Sequence, residues 1–376
     1  MARSSAQTPS PSRQSIDRTA CEQHAARFFR ASLSAGLICN TSPMPQTLEN
    51  SPIADSVIWN DWYVVARSAD LQPGKLIPVR LLDRPLVLWK TEAGEICAWD
   101  DRCPHRSVKL SQGKIVDETV VCSYHGLAYA PDGRCVSVPA HPDYKPPKQA
   151  CVRVYAVQEK YGLVFVCLGE PQQEIPDFAE WDDPDYGRFM TGPHPCKANG
   201  YRAIENFLDV AHFSFVHEGI LGSREKPEVE DYQVTIDPSG VWLHDVRYWQ
   251  PDPDGTGQGA YVHYDYWALR PLVAALRKKM PNGHLLNILY FVTPTSEEEF
   301  VGWMALTFNF RDAMDEAAAQ TFQETVFAQD SENLESHFPQ KLPLYSPELE
   351  FHLPCDRGSL AYRKWLKQLG VTYGTI

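Results

Sequence analysis

Cys103-Pro104-His105, with its sequel Cys122-Ser123-Tyr124-His125, decides how this chain is read. Each half offers one thiolate and one imidazole within a few residues of each other. A zinc site built from the same residues would more often pair Cys with Cys and His with His. Two mixed pairs on two loops instead suit a pair of iron atoms held side by side, each loop giving its Cys to one iron and its His to the other. On this reading Cys103 and Cys122 hold the inner iron, and His105 and His125 the outer one. The flanks fit loops at hairpin tips. Asp100-Asp101-Arg102 leads into the first, and Gly126 follows the second. Ile115 to Val121, broken by Asp117-Glu118, reads as a short strand feeding the second loop, and Leu127 to Tyr129 leaves it. Pro131-Asp132-Gly133 is a turn signal before Val136-Ser137-Val138.

A second motif lies downstream: Asn206-Phe207-Leu208-Asp209-Val210-Ala211-His212, then His217. Two His and one carboxylate on one face of a metal, with open positions opposite, make the site of non-heme iron oxygenases. Spacing alone is weaker here than in the first motif. Five residues on an ideal helix turn through about 140°, against about 40° for an i, i+4 pair. The helix holding His212 is therefore expected to distort or end near His217, with Gly219 as a stop signal. Asp209 falls one turn before His212, and Asn206 one turn earlier on a similar face. The carboxylate must come from farther along. Candidates are Asp312, Asp315, Glu324, Asp330, Glu332 and Glu335. Residues 313–336 read as a helix, with Ala317-Ala318-Ala319 followed by Phe322, Val326 and Phe327 at helical spacing. Asp330 sits a turn past that apolar stripe.

Composition narrows the class. The chain has 376 residues, 43% of them hydrophobic, enough for two domains. A net charge of −13 argues against nucleic acid as a partner. No apolar run approaches the ~18 residues of a membrane span. Of ten Cys, two belong to the first motif. Cys21, Cys39, Cys97, Cys135, Cys151, Cys167, Cys196 and Cys355 form no paired framework and are expected mostly as small buried residues in a reducing cytoplasm. Residues 1–54 are rich in Ser, Ala, Arg and Pro. They suit a disordered extension, a presequence, or an over-long start with the true one at Met44.

Strands dominate from Ile58: Trp62 to Ala66, Ile77 to Leu81, Pro85 to Trp89, Ile96 to Trp99, Val152 to Ala156 and Leu163 to Cys167. Pro171 to Pro184 reads as a polar, acidic linker. Beyond it, Val241 to Tyr248, Ala260 to Ala268, Leu285 to Thr293 and Phe300 to Phe310 alternate as strands of a large antiparallel sheet. Helices at 201–218 and 313–336 should pack that sheet, and Ser359 to Leu369 reads as a basic helix. The fold class is α+β, an N-terminal all-β domain (55–170) followed by a catalytic domain (171–376).

These two motifs together resemble those of the Rieske non-heme iron oxygenases, over residues 57 to 376. The order Asn-x2-Asp-x2-His-x4-His is similar to the monooxygenase and demethylase branch. Trp62 to Ala66, Val138 to Pro142, Tyr161 to Gly169 and His217 to Gly222 resemble the saxitoxin-pathway monooxygenases. The missing C-terminal Cys pair and membrane span set it apart from the chlorophyll-type members. The resemblance implies a [2Fe–2S] cluster on Cys103, His105, Cys122 and His125, and mononuclear Fe(II) on His212, His217 and Asp330. It also implies electrons from an NAD(P)H-dependent flavin/ferredoxin-type reductase, and attack with O2 on a C–H bond of a small organic substrate. Hydroxylation is the main expectation; O- or N-demethylation, ring dihydroxylation, or an electron carrier with a dead second site are the alternatives. A head-to-tail homotrimer is implied, in which Asp209 links His212 to His125 of the next subunit. Substrate contacts are expected from the loop after Leu221 and from the 260–310 strands.

Overall fold

The computed structural model describes residues 55–311 and 315–376. The expectations for residues 1–54, Cys21, Cys39 and Asp312 lie outside the described residues. In chain order, a short helix α1 (Ser56–Trp59) precedes β1 (Tyr63–Arg67), β2 (Ile77–Leu81), β3 (Arg84–Lys90), β4 (Ile96–Asp100), β5 (Lys114–Val116), β6 (Thr119–Val121), β7 (Ala128–Tyr129), β8 (Cys135–Ser137), β9 (Val154–Lys160) and β10 (Leu163–Cys167). These strands form two antiparallel sheets, one ordered β1-β10-β9-β4-β3-β2 and the other β5-β6-β7-β8. The expected single strand at 115–121 is instead the β5–β6 hairpin. Asp117 and Glu118 are its turn, with φ of 44° and 60°, the left-handed pair that two-residue hairpins require.

The second half runs β11 (Gly187–Cys196), α2 (Gly200–Leu208), α3 (Phe213–Val216), β12 (Gln233–Asp237), β13 (Gly240–Gln250), β14 (Ala260–Arg270), β15 (Val273–Lys279), β16 (Leu285–Ser296), β17 (Glu299–Phe308), α4 (Glu316–Glu335) and α5 (Arg357–Leu369). Its seven strands make one antiparallel sheet, ordered β11-β17-β16-β15-β14-β13-β12. The α+β architecture expected from the sequence is present. β11, β12 and β15 were not foreseen. β11 contains Gly192 and two prolines, which read as breakers, but it is an edge strand whose pairing shifts register between Thr191 and His194, where Pro is tolerated.

Both faces of this sheet are covered, which is why β16 is an almost continuous apolar run. One face carries Tyr264, Tyr266, Leu276, Ile288, Tyr290 and Met304 into a core shared with Ile204 of α2, Phe327 of α4 and Trp365 of α5. The other face, with Leu289, Phe291 and Trp303, packs on Val64 and Phe165 of β1 and β10. Ile175 and Phe178 join that core, so the supposed linker at 171–184 is partly interior. The N-terminal lobe is also tied in by backbone bonds from Leu82 and Asp83 to the carbonyls of Pro294 and Thr295, at 2.8 and 3.0 Å. No helix among the described residues is long and apolar enough to cross a membrane.

Candidate active site

The two cysteine loops share one hydrogen-bond scheme. In the first, Cys103 N–H donates to Val108 O at 2.8 Å, and Ser107 N–H to Cys103 O at 2.9 Å. In the second, Cys122 N–H donates to Leu127 O at 2.9 Å, and Gly126 N–H to Cys122 O at 3.1 Å. Each loop closes through a residue at positive φ, Ser107 at 57° and Gly126 at 71°. Cys103 and Cys122 are buried while His105 and His125 are exposed, their ring centroids 4.6 Å apart. Burial pushes the Cys122 thiol up. The neighbouring Cys103 adds to this, and the backbone amides of Tyr124 and His125 pull the other way. Those amides would stabilise a metal-bound thiolate. Tyr129 Oη lies 3.2 Å from Cys103 Sγ, a contact that the sequence reading passed over as part of a strand; hydrogen bonds to cluster sulfurs tune potential.

The second motif departs from the expected helix. α2 ends at Leu208, before His212, because Asp209 turns extended (φ −97°, ψ 143°). Its carboxylate accepts from Ala211 N–H at 2.9 Å and His212 N–H at 3.1 Å, which starts a new turn. His212 and His217 therefore flank the single-turn α3 rather than ride one helix. A largely buried ion-pair network anchors α2: Arg202 and Glu205 meet Glu350, which precedes α5, and Arg363 within α5.

Asp330 arrives from α4, whose buried face is Gln323, Val326, Phe327 and Leu334. Asp330 falls on that face by helical spacing. Of the other acids, Asp315 caps α4, Glu324 binds Gln320, Glu335 accepts from the Lys197 backbone, and Glu332 is exposed. Ligand atoms of His212, His217 and Asp330 all lie within 4.8 Å of one another. Asp330 Oδ1 stands 3.0 Å from His217 Nε2 and 3.5 Å from His212 Nε2. Asn206 donates to the same oxygen at 3.2 Å, so its target is the carboxylate and not an imidazole.

Each imidazole is held from behind. His212 Nδ1 meets Asp209 Oδ2 at 2.8 Å, and His217 Nδ1 meets Gln329 Oε1 at 2.8 Å. Both oxygens accept, so the protons sit on Nδ1 and the Nε2 lone pairs face Asp330. His217 Nε2 is buried with no hydrogen-bond partner among the described residues. Asp330 Oδ1 stands 3.0 Å from it. An orphaned buried lone pair, a second imidazole and a carboxylate fit a ferrous ion with open positions. Burial raises the Asp209 carboxyl, but the His212 imidazole and the Ala211 and His212 amides outweigh it and hold the group below its usual range. His217 is pulled down by burial, yet Asp330 and Gln329 leave it raised. Gln329 was not foreseen; a polar residue beside a ligand on an acid-rich helix gives no sequence signal.

A cavity of about 110 Å³ adjoins these residues. Leu221 and β14–β17 line it, as expected of the 260–310 strands, and so do Phe322, Gln323 and Val326 of α4, which were not expected.

The chain matches the Rieske [2Fe-2S] domain over residues 61–156 and the vanillate O-demethylase oxygenase C-terminal domain over residues 196–372. It is 30% identical to the methylxanthine N1-demethylase NdmA of Pseudomonas putida over 319 residues, 82% of this chain and 88% of that one. The chain belongs to the Rieske non-heme iron oxygenases. It is thus an oxidoreductase of a family that uses a Rieske cluster and mononuclear Fe(II). The structure of Pseudomonas putida CBB5 NdmA with caffeine superposes with a TM-score of 0.72 at 27% identity, over 83% of this chain and 90% of that chain. The iron-sulfur subunit TsaM1 of the toluene-4-sulfonate monooxygenase system of Comamonas testosteroni is 34% identical over 180 residues, 46% of this chain and 51% of that one.

Proposed function

We propose that this oxygenase inserts oxygen from O2 into a C–H bond of a small organic substrate, by hydroxylation or, through a hydroxylated methyl group, by demethylation. The convergence of two Nε2 lone pairs on Asp330, one of them buried and unpartnered, is the observation that carries the reading. His212, His217 and Asp330 would hold the iron. Cys103, His105, Cys122 and His125 would hold the cluster, within a domain spanning 55–170, with 171–376 as the catalytic domain. Bound there, the cluster relays electrons one at a time and the iron activates O2. The chain's own part is to fix both imidazoles through Asp209 and Gln329, to steady Asp330 through Asn206, and to keep water out with an apolar cavity.

Two features support an inter-subunit electron path in a homotrimer. Asp209 grips the outer nitrogen of His212 with its side chain still 27% exposed, and His125 is exposed at its loop tip. A carboxylate bridging the two imidazoles would join the two metals. Subunits of multi-component systems among the relatives support a separate flavin/ferredoxin-type reductase as donor, and the buried, unbridged cysteines Cys97, Cys135, Cys167 and Cys196 support a reducing cytoplasm.

The test is turnover of iron-replete protein with a flavin/ferredoxin reductase, NADH and labelled dioxygen on a panel of aromatic acids, methoxyarenes and N-methyl heterocycles. One labelled oxygen in a product, or loss of a methyl group, is expected. Cluster-containing protein that binds no mononuclear iron would instead be an electron carrier.

A further inference from the structure

We propose that Lys278 is the specificity-determining residue of the cavity, acting with Tyr266 to select a small single-ring substrate that carries an anionic oxygen group, a carboxylate or sulfonate. This rests on the oxygenase reading above and names the substrate class of that same site.

Strand register places the two side chains. Lys278 of β15 pairs with Tyr264 of β14, and Leu276 with Tyr266. Lys278 and Tyr266 are therefore diagonal neighbours on one face of the sheet, the face that lines the cavity beside His212, His217 and Asp330. The flanking basic residues point the other way and are paired: Arg277 with Glu180 and Asn287, Lys279 with Asp265. Lys278 differs from both. It is 7% exposed, donates to Pro253 O at 3.2 Å, and has no carboxylate within ion-pair distance among the described residues. Burial pushes its amine down to about 8, with Asp254 and Asp252 pulling partly back from beyond pairing distance.

An ammonium carries three donors, and only one is used among the described residues. Tyr266 Oη is fully buried and has no partner among the described residues. Most of the remaining lining is apolar, and its amides are engaged, Asn206 with Asp330 and Gln323 with Met304 Sδ. A buried cation without a counter-ion and an unpartnered hydroxyl on one wall need an acceptor that the described residues do not supply. An anionic oxygen group supplies it, and its apolar ring then extends toward the triad. The volume of about 110 Å³ is on the scale of the roughly 150 Å³ cavity that admits benzene, so a single ring is the size that fits.

The experiment is calorimetric binding to metal-loaded protein of benzoate, 4-methylbenzoate and toluene-4-sulfonate, each against its uncharged amide or sulfonamide. Wild type should favour at least one anion over its neutral partner by at least about tenfold. Lys278→Met should abolish that ratio, Lys278→Arg should retain part of it, and Tyr266→Phe should weaken the anion a few-fold while sparing the neutral partner. No anion preference in wild type, no anion binding at all, or a preference that survives Lys278→Met would each overturn the assignment. Iron content and cluster absorbance on the same samples keep the readings apart. Intact metals without an anion preference refute Lys278 alone, whereas absent mononuclear iron refutes the oxygenase site.

Discussion

The cluster loops and the iron site are built on opposite principles. The four residues proposed to hold the cluster sit between Cys103 and His125, on two loops that repeat one backbone hydrogen-bond scheme. The proposed iron site draws two residues from either side of a one-turn helix and a third from α4, more than a hundred positions later. A locally encoded site depends on its own loops, and an assembled one depends on the packing that brings its pieces together. Perturbations of the two should therefore separate cleanly.

The largest expected effect is loss of a ligand. Asp330→Ala should remove mononuclear iron and cut turnover by more than about 100-fold, while Rieske absorbance survives. Cys122→Ser should do the reverse, erasing the cluster and keeping the iron. Unchanged iron in the first variant would move the carboxylate role to another acid; shared loss in both would mean the two sites are not independent.

Next comes support from behind. Gln329→Leu leaves all three proposed ligands in place but removes the acceptor that fixes the His217 tautomer, 2.8 Å from Nδ1. Iron affinity should fall about 10–100-fold, and Gln329→Glu should recover much of it. Equal affinity in the Leu variant would show that packing alone orients His217.

This contrast also explains what the sequence could and could not disclose. The paired loops from Cys103 to His125 were legible because their information is local. His212 and His217 were legible as a pair, but their helix was not: Asp209 ends α2 and caps the next turn with one carboxylate, which helical periodicity cannot express. Asp330 stood among several acids, and only the packing of Val326, Phe327 and Leu334 turns it inward. β15 was missed because Arg277-Lys278-Lys279 reads as a solvated run. Strand alternation puts the middle residue inside, and pairing partners on neighbouring strands, not composition, decide that.

Lys278 gives the assembled site a measurable cost. Its folded-state amine titrates at about 8 against an ordinary 10.5, so the unfolded chain holds the proton more tightly between those values. The penalty is complete below about 8 and fades as pH rises toward 10.5. A shift of that size corresponds to about 3 kcal/mol, from which the lost bond to Pro253 O subtracts ~1–2 kcal/mol. Lys278→Met should therefore stabilise the catalytic domain by on the order of 1–2 kcal/mol near neutral pH. Its advantage in denaturant midpoint should shrink in alkali. A variant equally stabilised at both pH values would show that the gain comes from packing and not from a buried charge.

The smallest effect tests the cluster loops against each other. Both close through a left-handed residue, but the second uses Gly126 and the first Ser107. A Cβ on Gly126 would stand 3.2 Å from Pro139 Cγ at a φ of +71°, so Gly126→Ala combines strain with a tight contact and should cost about 1 kcal/mol. Ser107→Gly relieves the same strain but frees the unfolded chain, and these terms nearly cancel. It should change stability by only a few tenths of a kcal/mol and leave the cluster spectrum unmoved. If the two substitutions instead proved equally costly, the shared hydrogen-bond scheme would not be what holds the loops, and the cluster itself would be their main support.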